Sequence, residues 1–294
     1  MAELIQPKIF VAIATIGRSS ILCQVLRRIS SQDRQPDGVV VVGTCPADVD
    51  GAGRAYPGSE VLISQKGLCR QRNMALRHLA GRADIVVFFD DDFVPDDGYL
   101  TAVERQMMAD PALIGLTGHL LADGAQTGEI CFAESLKILD GRVLAPRFRT
   151  ENTSWLYGCN MAIRTAAAPD LRFDERLPLY GWQEDVDFSS RLGRFGAMLR
   201  SRDLTGVHLG TRSGRISGVR FGYSQIANII YLRRKQTIGA RHGLGLMARN
   251  VASNLARSLW SEPHIDRRGR LAGNAIGFAD LLRGRVDPGR VERL

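Results

Sequence analysis

Three consecutive carboxylates, Asp90, Asp91 and Asp92, follow directly on five apolar residues at 85–89. Five β-rich apolar residues are too few for a typical helix and read as a central strand covered on both faces. The acids then stand at the carboxyl end of that strand, the edge at which open α/β sheets bind ligands. Carboxylates clustered there suit a hard divalent cation bridging to a phosphate. A second group, Glu184 and Asp185, falls where a helical pattern begins, just after Tyr180-Gly181-Trp182. The aromatics would wall off a cleft, and a desolvated carboxylate facing a hydroxyl is a workable general base. The helix dipole by itself also draws acids into a first turn. His208, within Gly206-Val207-His208-Leu209-Gly210, is a candidate nitrogen ligand beside an acidic metal site, although a lone histidine after an apolar residue is more often an ordinary core or surface residue.

The elements that must position these residues alternate. Ile9–Ala14 reads as a strand, and the turn at 15–20 leads into a helix whose Ile21, Leu22, Val25, Leu26 and Ile29 share one face. Further strands are predicted at 39–42, 61–63 and 85–89, with an arginine-rich helix from Leu68 to Leu79. Strand, helix, strand at this spacing means a parallel sheet. Phe188, Leu192 and Phe195 fall at helical spacing after Glu184, with Gly196 placed to end that helix. There is no internal repeat and no low-complexity linker.

At 294 residues the chain is long enough for one large α/β domain or two joined halves. The polar stretch at 1–8 and the short apolar run after it fit neither a secretory leader nor a membrane span, so a cytoplasmic location is expected. Five cysteines without a C-x-x-C pair argue for reduced thiols and against a zinc site. The net charge of +8 is uneven: residues 1–208 carry 23 Lys+Arg against 26 Asp+Glu, and residues 209–294 carry 16 against 5, a local excess of +11. Near the C-terminus Leu244, Met247, Val251, Leu255 and Leu259 form one apolar helical stripe, with Arg249 and Arg257 opposite. Basic amphipathic helices favour anionic membrane surfaces, while packing on the protein's own core or in a dimer interface fits the same pattern.

Taken together these segments resemble the inverting glycosyltransferases of family 2, over roughly residues 7–235. The resemblance is carried by Ala14-Thr15-Ile16-Gly17-Arg18, by the run from Lys66 to Leu76 with Arg72-Asn73-Met74-Ala75, by Asp90-Asp91-Asp92, by Gly158-Cys159-Asn160-Met161-Ala162, by Glu184-Asp185-Val186-Asp187 and by His208, in that order. It implies an A-type glycosyltransferase fold, a Rossmann-like, mostly parallel sheet flanked by helices, with a helical C-terminal extension. The implied division is a nucleotide-sugar half at 1–110, an acceptor and catalytic half at 111–215 and a basic extension at 216–294. By the same resemblance Thr15, Arg18 and Arg72 contact the nucleotide, and Asp90 and Asp91 lie by its ribose and base. Asp92 and His208 hold Mn²⁺ or Mg²⁺, Asp185 is the general base with Glu184 orienting, and Tyr180 and Trp182 face the acceptor. The chain departs from the family where an acidic residue usually follows the second strand to read the base, having Gly43-Thr44-Cys45-Pro46 there. The segment Asn228 to Lys235 looks like one found in bacterial members that build surface polysaccharides on lipid carriers. The expected partners are therefore a nucleotide-sugar donor, a saccharide or lipid-linked acceptor and an anionic membrane surface on the inner face.

Two other classes fit parts of the sequence. Asp90-Asp91-Asp92-Phe93-Val94 also matches the nucleophile motif of haloacid-dehalogenase-like phosphatases, with Asp90 as phosphoryl acceptor, but that motif normally follows the first strand of its fold. The basic C-terminus suggests nucleic-acid binding, yet no recognised module with interleaved aromatics accompanies it, so nucleic acid is not an expected partner.

Overall fold

The apolar run at 85–89 is buried and forms β4 (Ile85–Asp90), which ends on a half-buried Asp90. In the computed structural model the described residues are 6–142, 150–213, 216–259, 262 and 265–294; the first five residues of the stretch read for a leader, and Arg215 at an expected boundary, lie outside them. They fall into two compact units, one of Met1–Lys66, Arg70–Arg172 and Arg191–Gly214, the other of Gly67–Cys69, Phe173–Ser190 and Arg215–Leu294.

The first unit holds the sheet. Around β4 run β1 (Ile9–Ala14), β2 (Gly38–Gly43) and β3 (Glu60–Ile63), all parallel, in the order β3-β2-β1-β4. Continuous Val/Ile/Phe runs suit such strands because both faces are covered. Beyond β4 the sheet is mixed. β8 (Asn160–Arg164) lies antiparallel between β4 and β6 (Leu113–Asp123), and β9 (Ala197–His208) runs parallel to β6 and antiparallel to β5 (Phe93–Pro95) and to β7 (Thr150–Asn152). The connecting helices are α1 (Ser19–Ile29), α2 (Ala52–Ala55), α3 (Leu68–Leu79), α4 (Tyr99–Ala109), α5 (Gly124–Thr127) and α6 (Phe132–Asp140).

Of the apolar face expected for α1, Leu22, Val25, Leu26 and Ile29 are fully buried in one cluster with Val11, Ile13, Val39, Val41 and Val87, while Ile21 is partly buried against it. Each such side chain contributes about 1.5–3 kcal/mol on burial. Beneath the acidic end of β4, Phe89, Phe93 and Tyr99 form a triangle of rings with centroids 5.0–5.9 Å apart. Tyr99 donates its hydroxyl to the carbonyl of Asn160 at 3.1 Å. Packed aromatics of this kind add roughly 0.5–1.5 kcal/mol per pair and fix the strand end on which the acids stand.

The second unit holds the approach to α7 (Glu184–Leu192) and the C-terminal helices α8 (Gly218–Arg234), α9 (Ala240–Arg257) and α10 (Arg267–Leu282). Tyr223, Ile226, Ala227 and Ile230 of α8 form its core, with Met247 and Val251 packed against them. α7 stops at Leu192, so Phe195 lies past its end and is exposed. The expected stripe divides: Met247 and Val251 face the core, Leu244 and Leu255 are exposed by 41% and 59%, and Leu259, exposed by 77%, lies past the end of α9. Among the described residues no helix is long and apolar enough to cross a membrane.

Candidate functional site

In the first unit three strand ends meet. The β1–β4 register sets Ala14 opposite Asp90, which brings Thr15 to the acids, and the β5–β9 register sets Phe93 opposite His208. Leu209 N–H donates to the Asp92 carbonyl at 2.9 Å, closing the turn after β4 against the end of β9.

The three acids face different ways. Asp90 accepts from Arg72 Nη2 at 2.9 Å, and the same nitrogen donates to the carbonyl of Gly158 at 2.7 Å. Arg72 is buried, with its guanidinium 5.7 Å from the centre of the Phe88 ring. Asp91 turns inward, accepting the Thr15 hydroxyl at 2.7 Å and lying 3.0 Å from Arg18 Nη1. Asp92 lies 3.1 Å from the same Arg18 nitrogen, accepts Thr211 N–H at 2.8 Å, and has its other oxygen 3.3 Å from His208 Nε2. The far side of the imidazole, Nδ1, is 2.8 Å from Asp123 Oδ1.

The charges respond to these neighbours. Burial pushes the Asp91 carboxyl up, against the opposing pull of Arg18. Burial would also raise Asp92, but the His208 ring and Arg18 outweigh it and hold that carboxyl below the usual range. His208 is raised, because its contacts with Asp123 and Asp92 outweigh the burial that would lower it.

Asp90, Asp92 and His208 each offer one ligand atom within 4.8 Å of the others. Two carboxylate oxygens and an imidazole nitrogen form a donor set that suits Mn²⁺ or Mg²⁺ with open positions left for phosphate oxygens and water. The sequence assigned Asp92 and His208 to the metal, and the structure adds Asp90 to the same cluster.

The second unit contains the other group. α7 opens with Glu184, which is buried, and Asp185, which is half-buried and accepts Val186 N–H at 2.9 Å. The approach is conformationally unusual: Leu179, Gly181 and Gln183 all have positive φ, of 57°, 63° and 72°. A leucine and a glutamine in that region are uncommon, and such strain gathers at functional sites. A Cβ on Gly181 would come within 3.2 Å of Cys69 Sγ and of Glu184 Cγ. Phe221 of α8 joins the predicted aromatics, 6.0 Å from Tyr180 and 5.9 Å from Trp182, and the guanidinium of Arg270 lies 4.3 Å from its ring centre. Asn228 Nδ2 ties the loop to α8 through the carbonyl of Trp182 at 2.8 Å.

The sequence matches no protein-family model and no curated protein. Solved structures do match. The mannosyltransferase PcManGT from Pyrobaculum calidifontis, in complex with GDP-Man and Mn²⁺, superposes with a TM-score of 0.55 at 17% identity, over 95% of this chain and 81% of that one. S. aureus TarS 1–349 in complex with UDP-GlcNAc gives 0.55 at 16% identity, over 98% of this chain and 83% of that one. The fold is the A-type glycosyltransferase fold. GalNAc-T7 with UDP, GalNAc and Mn²⁺ has it too, at a TM-score of 0.55 and 12% identity, and this chain spans 52% of its length.

Within this A-type fold the structure brings together Thr15, Arg18, Arg72, Asp90, Asp91, Asp92 and His208. Asp123 and Phe221 were not singled out by sequence. Asp123 is a single acid at the end of an apolar run, and its signal lies in the β6–β9 register, which pairs it with His208. Phe221 belongs to an apolar helical face, and nothing in its spacing separates it from a core residue.

Proposed function

We propose that this chain is a metal-dependent inverting glycosyltransferase that moves a hexose from a nucleoside-diphosphate donor to an acceptor hydroxyl. The observation that carries this reading is the cluster of Asp90, Asp92 and His208 at the carboxyl edge of a sheet with the A-type fold. Two structural neighbours were solved with Mn²⁺, PcManGT with GDP-Man and GalNAc-T7 with UDP and GalNAc.

Asp90, Asp92 and His208 would hold Mn²⁺ or Mg²⁺, which would supply Lewis acidity against the charge developing on a diphosphate leaving group. Without a cation the acids would oppose the donor, since two like charges at 4 Å repel by about 4 kcal/mol at an effective dielectric near 20. Arg18, beside Asp91 and Asp92, adds positive charge at the phosphates, and Arg72 holds Asp90 in place. Asp185 takes the proton of the acceptor hydroxyl as that oxygen attacks the anomeric carbon from the face opposite the diphosphate. The new C–O bond forms as the bond to the diphosphate breaks, so the configuration inverts. Glu184 orients the acceptor, and Tyr180, Trp182 and Phe221 offer ring faces against which a sugar packs.

Base recognition differs from the family pattern. The nearest acid after β2, Asp48, is buried and already accepts from Gly17 N–H, Thr44 N–H and Oγ1, and Cys45 N–H. Its carboxylate braces the two loops, and other groups read the base.

The acceptor is a saccharide or lipid-linked, the pathway is surface polysaccharide synthesis, and the protein works at the inner face of the cytoplasmic membrane. Support comes from Leu244 and Leu255 of α9 and Leu259 just past its end, which are exposed in a segment with 16 basic residues against 5 acidic ones. Exposed apolar residues in a strongly basic segment suit an anionic lipid surface.

The test is thermal stabilisation across UDP-, GDP-, CDP-, ADP- and dTDP-sugars, with Mn²⁺ and with chelator. Metal-dependent stabilisation by one nucleotide class is expected; stabilisation by none, or equally with chelator, would remove the donor assignment.

A further inference from the structure

We propose that Asp123 is the positioning residue of the metal cluster: it fixes the His208 ring with the proton on Nδ1, so that the Nε2 lone pair is presented to the cation. The inference rests on the metal reading above and concerns which residue makes His208 a ligand.

Three observations converge on it. First, Asp123 and His208 are direct register partners at the ends of the parallel pair β6 and β9, and the register shifts between Leu120 and Ala122 just before that end. An irregularity of this kind re-aims the side chains that follow it. Second, the Asp123 carboxylate is held from several directions. Oδ1 accepts Ala125 N–H at 3.1 Å, while Oδ2 accepts Gln126 Nε2 at 2.7 Å and the Tyr157 hydroxyl at 3.2 Å. Third, the backbones behind the pair are in contact. A Cβ on Gly210 would lie 2.1 Å from the Gly124 carbonyl carbon, and one on Gly124 would lie 2.0 Å from the Leu209 carbonyl oxygen. Only glycines allow strand ends so close, and Gly210 also needs its positive φ of 68°.

The consequence is chemical. An imidazole has two inequivalent nitrogens, and the hydrogen bond made by one decides which lone pair the other offers. With Nδ1 committed to Asp123 Oδ1 at 2.8 Å, Nε2 faces Asp92 Oδ1 at 3.3 Å, on the side where the other ligand atoms lie. A carboxylate in that role orients the ring and raises its basicity.

The experiment is an Mn²⁺ titration of the full chain without nucleotide, read by the free-ion electron paramagnetic resonance signal. Asp123→Ala should weaken Mn²⁺ about 10- to 100-fold, the range typical of partners behind a metal ligand. Asp123→Asn keeps an acceptor but loses the charge, and should fall between the wild type and Asp123→Ala. Gln126→Ala, which removes one of the bonds that hold Asp123 without touching His208, should weaken Mn²⁺ by much less than Asp123→Ala. Nitrogen-15 spectra of labelled histidine with Mg²⁺ should place the His208 ring proton on Nδ1 in the wild type and lose that signature in Asp123→Ala. Equal affinity of Asp123→Ala and wild type would overturn the proposal and leave the metal reading standing. Loss in Gln126→Ala as large as in Asp123→Ala would overturn it in favour of loop integrity. Should Asp123→Ala fail to fold, unchanged affinity in Asp123→Asn would overturn it, and absence of Mn²⁺ binding by the wild type would overturn both readings.

Discussion

Arg18 holds Nη1 3.1 Å from Oδ2 of Asp92, the carboxylate whose Oδ1 lies 3.3 Å from His208. A cation of the protein's own thus shares the acid assigned to the metal. Arg18 tempers the repulsion among the acids, and under the proposed function it would meet an incoming diphosphate. Arg18→Gln is expected to raise the donor Kd at least about tenfold, the scale of one charge-assisted hydrogen bond, while Mn²⁺ affinity without nucleotide stays equal or tightens. Calorimetric titration of each ligand checks this; a loss of Mn²⁺ affinity with normal donor binding would reverse the assignment.

Asp185→Asn separates chemistry from donor binding. A general base acts on the acceptor, so transfer should fall by about 10²–10⁴-fold while donor affinity changes by no more than a few-fold. Transfer assays run beside donor titrations decide the matter, and near-normal turnover would remove Asp185 from the mechanism.

Helix α7 has its own electrostatic anchor. Asp187 of α7 is fully buried and accepts Thr237 Oγ1 at 2.7 Å and Lys235 Nζ at 2.9 Å; the same ammonium also bonds Asp174. Burial pushes the Asp174 carboxyl up, but the bonds from Lys235, Tyr231 and Arg176 N–H outweigh it and hold it below its ordinary 3.8. A depressed carboxyl stabilises the fold fully above its unfolded value, and that contribution is lost as pH falls through the folded one. Asp174→Asn should therefore destabilise by about 1–3 kcal/mol at neutral pH. The difference should shrink as pH drops below 3.8, and urea melts across that range would expose a pH-independent effect as a packing defect.

The exposed Leu244, Leu255 and Leu259 of the basic C-terminal segment predict salt-sensitive binding to anionic liposomes. Each basic residue near such a surface is worth about 1 kcal/mol, decaying over a Debye length of roughly 8 Å at physiological salt. Replacing Leu244, Leu255 and Leu259 by Ser, or Arg249 and Arg257 by Gln, should each reduce co-sedimentation. Equal binding to neutral and anionic vesicles, or none, would make this segment a packing or dimerisation surface.

Much of this was legible in the sequence, for a physical reason. Strands covered on both faces are continuous apolar runs, so β1, β2 and β4 and the acids after β4 stand out without any knowledge of pairing. Thr15, Arg18, Arg72 and His208 came from motif order; Thr15, Arg18 and His208 meet at the acids because β1, β4 and β9 end together, and Arg72 reaches Asp90 from α3. What stayed hidden depends on register and on the second face of a helix. Asp123 acquires its partner only through the β6–β9 pairing, a contact between segments 85 residues apart. The stripe from Leu244 to Leu259 is a single pattern in sequence, yet the core takes Met247 and Val251 and leaves Leu244 and Leu255 exposed, while Leu259 lies past the end of the helix.

The central claim is tested most directly by following a matched nucleotide-sugar by proton NMR with wild type, Asp92→Ala and His208→Ala. The account predicts release of nucleoside diphosphate and of sugar with inverted anomeric configuration, only when Mn²⁺ or Mg²⁺ is present, with rates at least about 10²-fold lower in both variants. Release that persists in chelator, retained configuration, or inorganic phosphate freed from simple phosphoesters would contradict it.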